Sequence, residues 1–226
     1  MKRSKINQVI RDMETLIHEH RFALPPFASW TKEDWEKAGS EYDEIRDNKL
    51  GWDITDYGLG KFDEIGFALF TIRNGNVKME KYKKPYAEKL LMLYEGQTSP
   101  MHFHWNKMED IINRGGNDVY LTLYNADKDG KCLETDVTVS MDGKQITVPA
   151  GTTVKLSAGE SITIEPYTYH DFSVPKTGGS VLLGEVSMCN DDDHDNRFLE
   201  PIGRFPAIEE DEPPYRLLCT EYETLR

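Results

Sequence analysis

The chain has 226 residues, with 27 Lys+Arg against 40 Asp+Glu and a formal charge of −13 at pH 7. That charge repels a phosphate backbone and an anionic lipid surface alike, which sets aside a nucleic-acid binder and a membrane-surface protein. Hydrophobic residues at 38% and aromatics at 11% suffice for a packed core, and no apolar run approaches the roughly 20 residues of a membrane helix.

Residues 1–50 read as a helical arm. Ile6, Val9, Ile10, Met13, Leu16 and Ile17 recur at three- and four-residue intervals and so share one helix face. The start, Met1-Lys2-Arg3-Ser4-Lys5, carries the charge of a secretory leader. Asn7, Gln8, Arg11, Asp12 and Glu14 interrupt the apolar stretch that should follow. Pro25 and Pro26 end the helix, since neither can donate a helix hydrogen bond. Thr31 with Asp34 reads as the cap of a second short helix. About fifty residues make a poor core alone, so the arm is expected to cover a barrel or a partner subunit.

From 51 to 226 the pattern predicts a single all-β domain. Period-two segments fall at 65–72, 89–94, 119–124, 136–141, 144–148, 152–156, 161–165 and 180–188. Asp142-Gly143 is a two-residue hairpin signal. Many short strands separated by turns predict a sandwich or a jelly-roll barrel. Cys132, Cys189 and Cys219 are odd in number and far apart, which predicts reduced thiols and a cytoplasmic protein. The tail at 209–214 is acidic and proline-rich and is expected to be irregular.

The chain has six histidines: His18, His20, His102, His104, His170 and His194. His102 and His104 lie two apart, so on a strand both imidazoles enter one space while Phe103 faces away. Glu109 follows five residues on, within reach of a returning turn, and His170 could supply a further ligand after Pro166. Three imidazoles and a carboxylate suit a divalent metal with positions left open for substrate. His18 and His20 sit at a polar helix end and read as surface residues.

These residues resemble the cupin superfamily. Its first motif, G-x5-H-x-H-x(3,4)-E-x6-G, is met by Gly96, His102, His104, Glu109 and Gly116. Its second, G-x(5–7)-P-x-G-x2-H, is met at Gly159 and Pro166 but has Thr168 for glycine and His170 one residue early. The segment Asp56-Tyr57-Gly58-Leu59-Gly60-Lys61, Lys89, Gly96-Gln97-Thr98, residues 163–170, Glu185 and residues 192–195 resemble the cupin-type D-lyxose isomerases. That resemblance implies a cupin jelly-roll barrel, a divalent metal, Mn2+, held by His102, His104, Glu109 and His170, and a homodimer. It implies interconversion of D-lyxose and D-xylulose, with D-mannose and D-fructose as further substrates.

Such a reaction moves one hydrogen between C1 and C2 through a metal-stabilised enediolate. Glu185, a carboxylate in an apolar strand, is the candidate base, and Lys89 the candidate cation beside the substrate oxygens. Asp195 and Arg197 are candidates to bind sugar hydroxyls, in an acidic run from Asp191 that could form a lid at the barrel mouth. Glu200 and Trp105 are weaker candidates. A metal-steered hydride shift, a cupin dioxygenase, a non-catalytic sugar-binding cupin and a phosphosugar isomerase stand as rival readings.

Overall fold

The computed structural model describes residues 1–191, 194–203 and 206–225. Three α-helices come first: α1 (Arg3–Glu19), α2 (Lys32–Lys37) and α3 (Asp43–Asp47). Helix α1 buries Ile6, Val9, Ile10, Met13 and Ile17, the face its spacing predicts. Helix α2 opens with a full capping box, in which Thr31 Oγ1 accepts from the Asp34 amide at 3.2 Å and Asp34 Oδ2 from the Thr31 amide at 2.9 Å.

Fourteen strands follow among the described residues: β1 (Gly51–Thr55), β2 (Phe67–Arg73), β3 (Tyr86–Leu93), β4 (His102–His104), β5 (Glu109–Gly116), β6 (Val119–Ala126) and β7 (Cys132–Leu133), then β8 (Val137–Met141), β9 (Lys144–Val148), β10 (Thr152–Leu156), β11 (Ser161–Ile164), β12 (Thr168–His170), β13 (Val181–Met188) and β14 (Asn196–Phe198). They build two antiparallel sheets, one ordered β1-β2-β3-β13-β5-β11-β8-β9 and the other β10-β6-β12-β4-β14. The two curled antiparallel sheets make the all-β barrel that the strand pattern predicts. At the β8–β9 hairpin both turn residues, Asp142 and Gly143, have positive φ, as a two-residue turn with right-handed strand twist requires.

Alternation along the strands separates two apolar cores. On β3 and β13, Leu91, Leu93, Val181 and Leu183 face the barrel interior with Ile111, Leu121 and Ile162. Leu90, Met92 and Leu182 face the other way, onto Ile6, Ile10 and Met13 of α1. Burying each such side chain contributes about 1.5–3 kcal/mol, so α1 is an integral cover of the eight-stranded sheet.

The interior face then changes character along the same strands. Leu93 pairs with Val181, Leu91 with Leu183, and the next inward pair is Lys89 with Glu185. The barrel is therefore apolar at one end and charged at the other. The charged end holds the site.

Candidate active site and metal centre

Strands β4 and β12 supply the imidazoles. His102 pairs directly with His170 across them, and His104 pairs with Asn196 on β14. Phe103 points out of the barrel into a cluster with Trp105, Tyr167 and Tyr169, at centroid distances of 4.6, 5.6 and 4.8 Å. Ligand atoms of His102, His104 and His170 all lie within 4.8 Å of one another.

Glu109 arrives from the opposite sheet. No turn returns it to the strand of the histidines; residues 105–108 cross between the sheets and Glu109 opens β5. Its Oε1 lies 3.0 Å from His170 Nε2 and 3.4 Å from His104 Nε2. The crossing is held by Asp195. Its carboxylate accepts from the Asn106 amide at 2.8 Å, the Asn106 side chain at 2.9 Å and the Lys107 amide at 3.0 Å.

The donor set fits a divalent cation. His102 and His170 each give Nδ1–H to a backbone carbonyl, of Pro100 and of Thr168, at 3.0 Å. A neutral ring tied this way turns an Nε2 lone pair into the site. His170 Nε2 then faces a carboxylate oxygen with no hydrogen bond between them, and His104 Nδ1 also lacks a partner. Two buried lone-pair atoms in contact are costly unless a cation joins them. Burial, and then the neighbouring rings His170 and His104, push His102 well below the ordinary imidazole range. Burial and then Lys107 lower His104. Burial works to raise Glu109, but Lys107 and the imidazoles outweigh it and hold the group well below the usual carboxylate range. Neutral imidazoles and an ionised carboxylate are the state that binds metal.

A chain of buried charges continues from Glu109. Lys107 Nζ lies 2.7 Å from Glu109 Oε2 and 2.9 Å from Glu185 Oε1. Lys89 Nζ lies 3.1 Å from Glu185 Oε1 and 2.7 Å from Asn190 Oδ1. Ser187 Oγ donates to Glu185 at 3.0 Å. Lys89, Lys107, Glu109 and Glu185 are each no more than 5% exposed. Burial acts to raise Glu185, yet Lys107 and Lys89 together keep it lowered, so it is a carboxylate at neutral pH. These groups border a cavity of about 60 Å3 whose other walls include Asp53, Thr55, Tyr57, Asn196 and Phe198.

The structure thus brings together His102, His104, Glu109, His170, Glu185 and Lys89. It does not bring Arg197 to the cavity. On β14 Asn196 and Phe198 face inward, while Arg197, opposite Phe103, is exposed on the outer face near Gly130. Asp195 touches the crossing turn, as described, where a sugar contact was expected. His194 is exposed against Asp191 and Lys78, at 3.0 and 3.1 Å. Asp192 and Asp193 of the expected lid lie outside the described residues. Glu200 is exposed, and Trp105 packs on Phe103 and Tyr167. Sequence reasoning missed Lys107, which lies between β4 and β5 and is buried only by the crossing of residues 105–108.

Comparison with known proteins gives the family of the chain. A family model described as D-lyxose isomerase matches residues 1–222. A D-lyxose/D-mannose isomerase of Escherichia coli O157:H7 is 45% identical over 227 residues, covering 100% of both chains. One from Serratia proteamaculans is 47% identical over 98% of each chain. Among solved structures, Cellulomonas parahominis L-ribose isomerase with L-ribose superposes at a TM-score of 0.60 and 15% identity, over 92% of this chain and 98% of that one, a likeness of fold. With a matching family model over nearly its whole length and two full-length relatives close to half identical, the chain belongs to the D-lyxose isomerase family and is a sugar isomerase.

Proposed function

We propose that the enzyme interconverts D-lyxose with D-xylulose and D-mannose with D-fructose, by proton transfer between C1 and C2 of the open-chain sugar, with one Mn2+ held by His102, His104, Glu109 and His170. The observation that carries this reading is the buried run Lys89–Glu185–Lys107–Glu109 beside three converging imidazoles. The relatives' name, D-lyxose/D-mannose isomerase, supports the choice of sugars.

The residues divide the work. When bound, the ion supplies positive charge that makes the hydrogen next to the sugar carbonyl acidic and matches the negative charge of an enediolate. Glu185, held ionised by two lysines, takes the proton from C2 and returns it to C1, while the hydroxyl proton passes from O2 to O1. A positioned base of this kind contributes about 10²–10⁴-fold. Lys107 keeps the carboxylates of Glu109 and Glu185 at fixed separation, and Lys89 offers its ammonium to the substrate oxygens.

The same reading takes the protein as a cytoplasmic homodimer. All three cysteines are free thiols, as a reducing compartment keeps them. Tyr86, Met108, Val186 and Met188, each at least 40% exposed, form apolar surface on the outer side of the central strands, suited to a second copy.

The test is D-lyxose with the Mn2+-loaded protein in deuterated water, followed by NMR. D-Xylulose should form and carry solvent deuterium at C1, and Glu185→Gln should slow its formation at least 100-fold with metal still bound. Ketose formed without deuterium would replace the base with a hydride shift. No ketose from either aldose would overturn the proposed substrates.

A further inference from the structure

The reacting cavity, about 60 Å3, has room for roughly four to six water-sized groups. That is less than a whole open-chain sugar needs. A second cavity of about 190 Å3 adjoins it, walled by Thr71, Asn74 and Asn190 among others. Asp53 and Leu69 belong to both linings. The Lys89–Asn190 hydrogen bond joins a wall of one cavity to a wall of the other.

One wall of the second cavity is a set of hydrogen-bonded amides beside Thr71. Asn48 Nδ2 donates to the Asn74 carbonyl at 3.0 Å, and Asn74 Oδ1 accepts from the Asn190 amide at 2.9 Å. Asn74 Nδ2 donates to the Asn190 carbonyl at 3.2 Å. These bonds fix the wall. Asn190 Oδ1 accepts from Lys89 Nζ at 2.7 Å, and Asn190 Nδ2 has no acceptor among the described residues. That leaves an amide donor for a ligand oxygen. Thr71 is the register partner of Lys89, so its side chain stands next to the lysine on the same face. Amides and a hydroxyl, which both donate and accept, match a polyol chain.

We propose that the second cavity is the tail subsite: it takes the end of the open-chain sugar remote from C1 and C2, and Thr71 sets how long that end can be. The assignment rests on the isomerase reading above. A five-carbon sugar enters the subsite less deeply than a six-carbon one, so filling it discriminates by length.

The experiment measures kcat/KM for D-lyxose and for D-mannose with Mn2+-loaded wild type, Thr71→Ile and Thr71→Val, with a thermal melt of each. Thr71→Ile narrows the cavity beside Lys89 and should lose tenfold or more on the six-carbon sugar relative to the five-carbon one. Thr71→Val keeps the volume and so the fold; it should raise KM for D-mannose more than for D-lyxose, with kcat held. Equal losses on both sugars, or none, with wild type active, would overturn the tail subsite and leave the isomerase reading intact. Wild type inactive on both sugars would overturn the substrates and the subsite together.

Discussion

His102 and His170 face each other as register partners on β4 and β12, and each donates its Nδ1–H to the carbonyl two residues before it, at 3.0 Å. The same local bond, made twice, turns the two Nε2 atoms toward one point. The site follows from this, because a short strand with its ring tied to its own backbone fixes the tautomer before any ion arrives.

Lys107 is the cation between two buried carboxylates, so removing it leaves Glu109 and Glu185 without their shared partner. Lys107→Met should destabilise the metal-free protein by about 3–5 kcal/mol, the cost of an uncompensated buried charge. A divalent ion should restore part of that loss, since it returns positive charge to Glu109. Thermal melts with and without Mn2+ check this. Equal destabilisation under both conditions would show that the metal lies elsewhere.

Asp195 and Arg197 are two residues apart and should behave differently. Asp195→Ala removes three hydrogen bonds from the 105–107 crossing. It should cost about 1–3 kcal/mol in stability and lower kcat by misplacing Lys107 and Glu109. Arg197→Ala, on the outer face, should leave KM for the sugar unchanged. Steady-state kinetics and melts of both variants decide between these roles; a raised KM in Arg197→Ala would bring that side chain back to the substrate.

The first helix is tied to the C-terminal segment through Arg3, which is 1% exposed and bonds Glu210 at 2.7 and 2.9 Å and Glu221 at 3.0 Å. Its hydrogen bond holds Glu210 below the usual carboxylate range. A carboxylate depressed in the folded state stabilises fully above its ordinary value and loses that contribution as pH falls through the folded value. Docking of the C-terminal segment on α1 should therefore weaken in the window that opens as pH falls below the ordinary glutamate value of about 4.5. Hydrogen exchange of the first turn of α1 should speed up in that window, and Glu210→Gln should be faster than wild type at pH 7 and less sensitive to acid.

The shared face of His102 and His104 was readable because two residues of offset is the strand period, and Glu185 because a carboxylate in Val181–Met188 interrupts an apolar run. The helical face of α1 was readable from its spacing for the same kind of reason. Lys107 was not, since a lysine in a polar turn reads as solvated; only the passage of residues 105–108 between sheets buries it. Arg197 was misdirected because a three-residue strand is too short to show a period. Strand β5 was not expected, because its inward face carries Glu109 and Asn113 among apolar residues and so hides the alternation.

The most direct measurement is calorimetric titration of Mn2+ into chelator-stripped wild type and His170→Ala, with a melt showing both folded. One ion should bind per wild-type chain, and the variant should lose that binding along with isomerase activity. Wild type that takes up no ion, or a variant that binds it as tightly as wild type, would contradict the centre described.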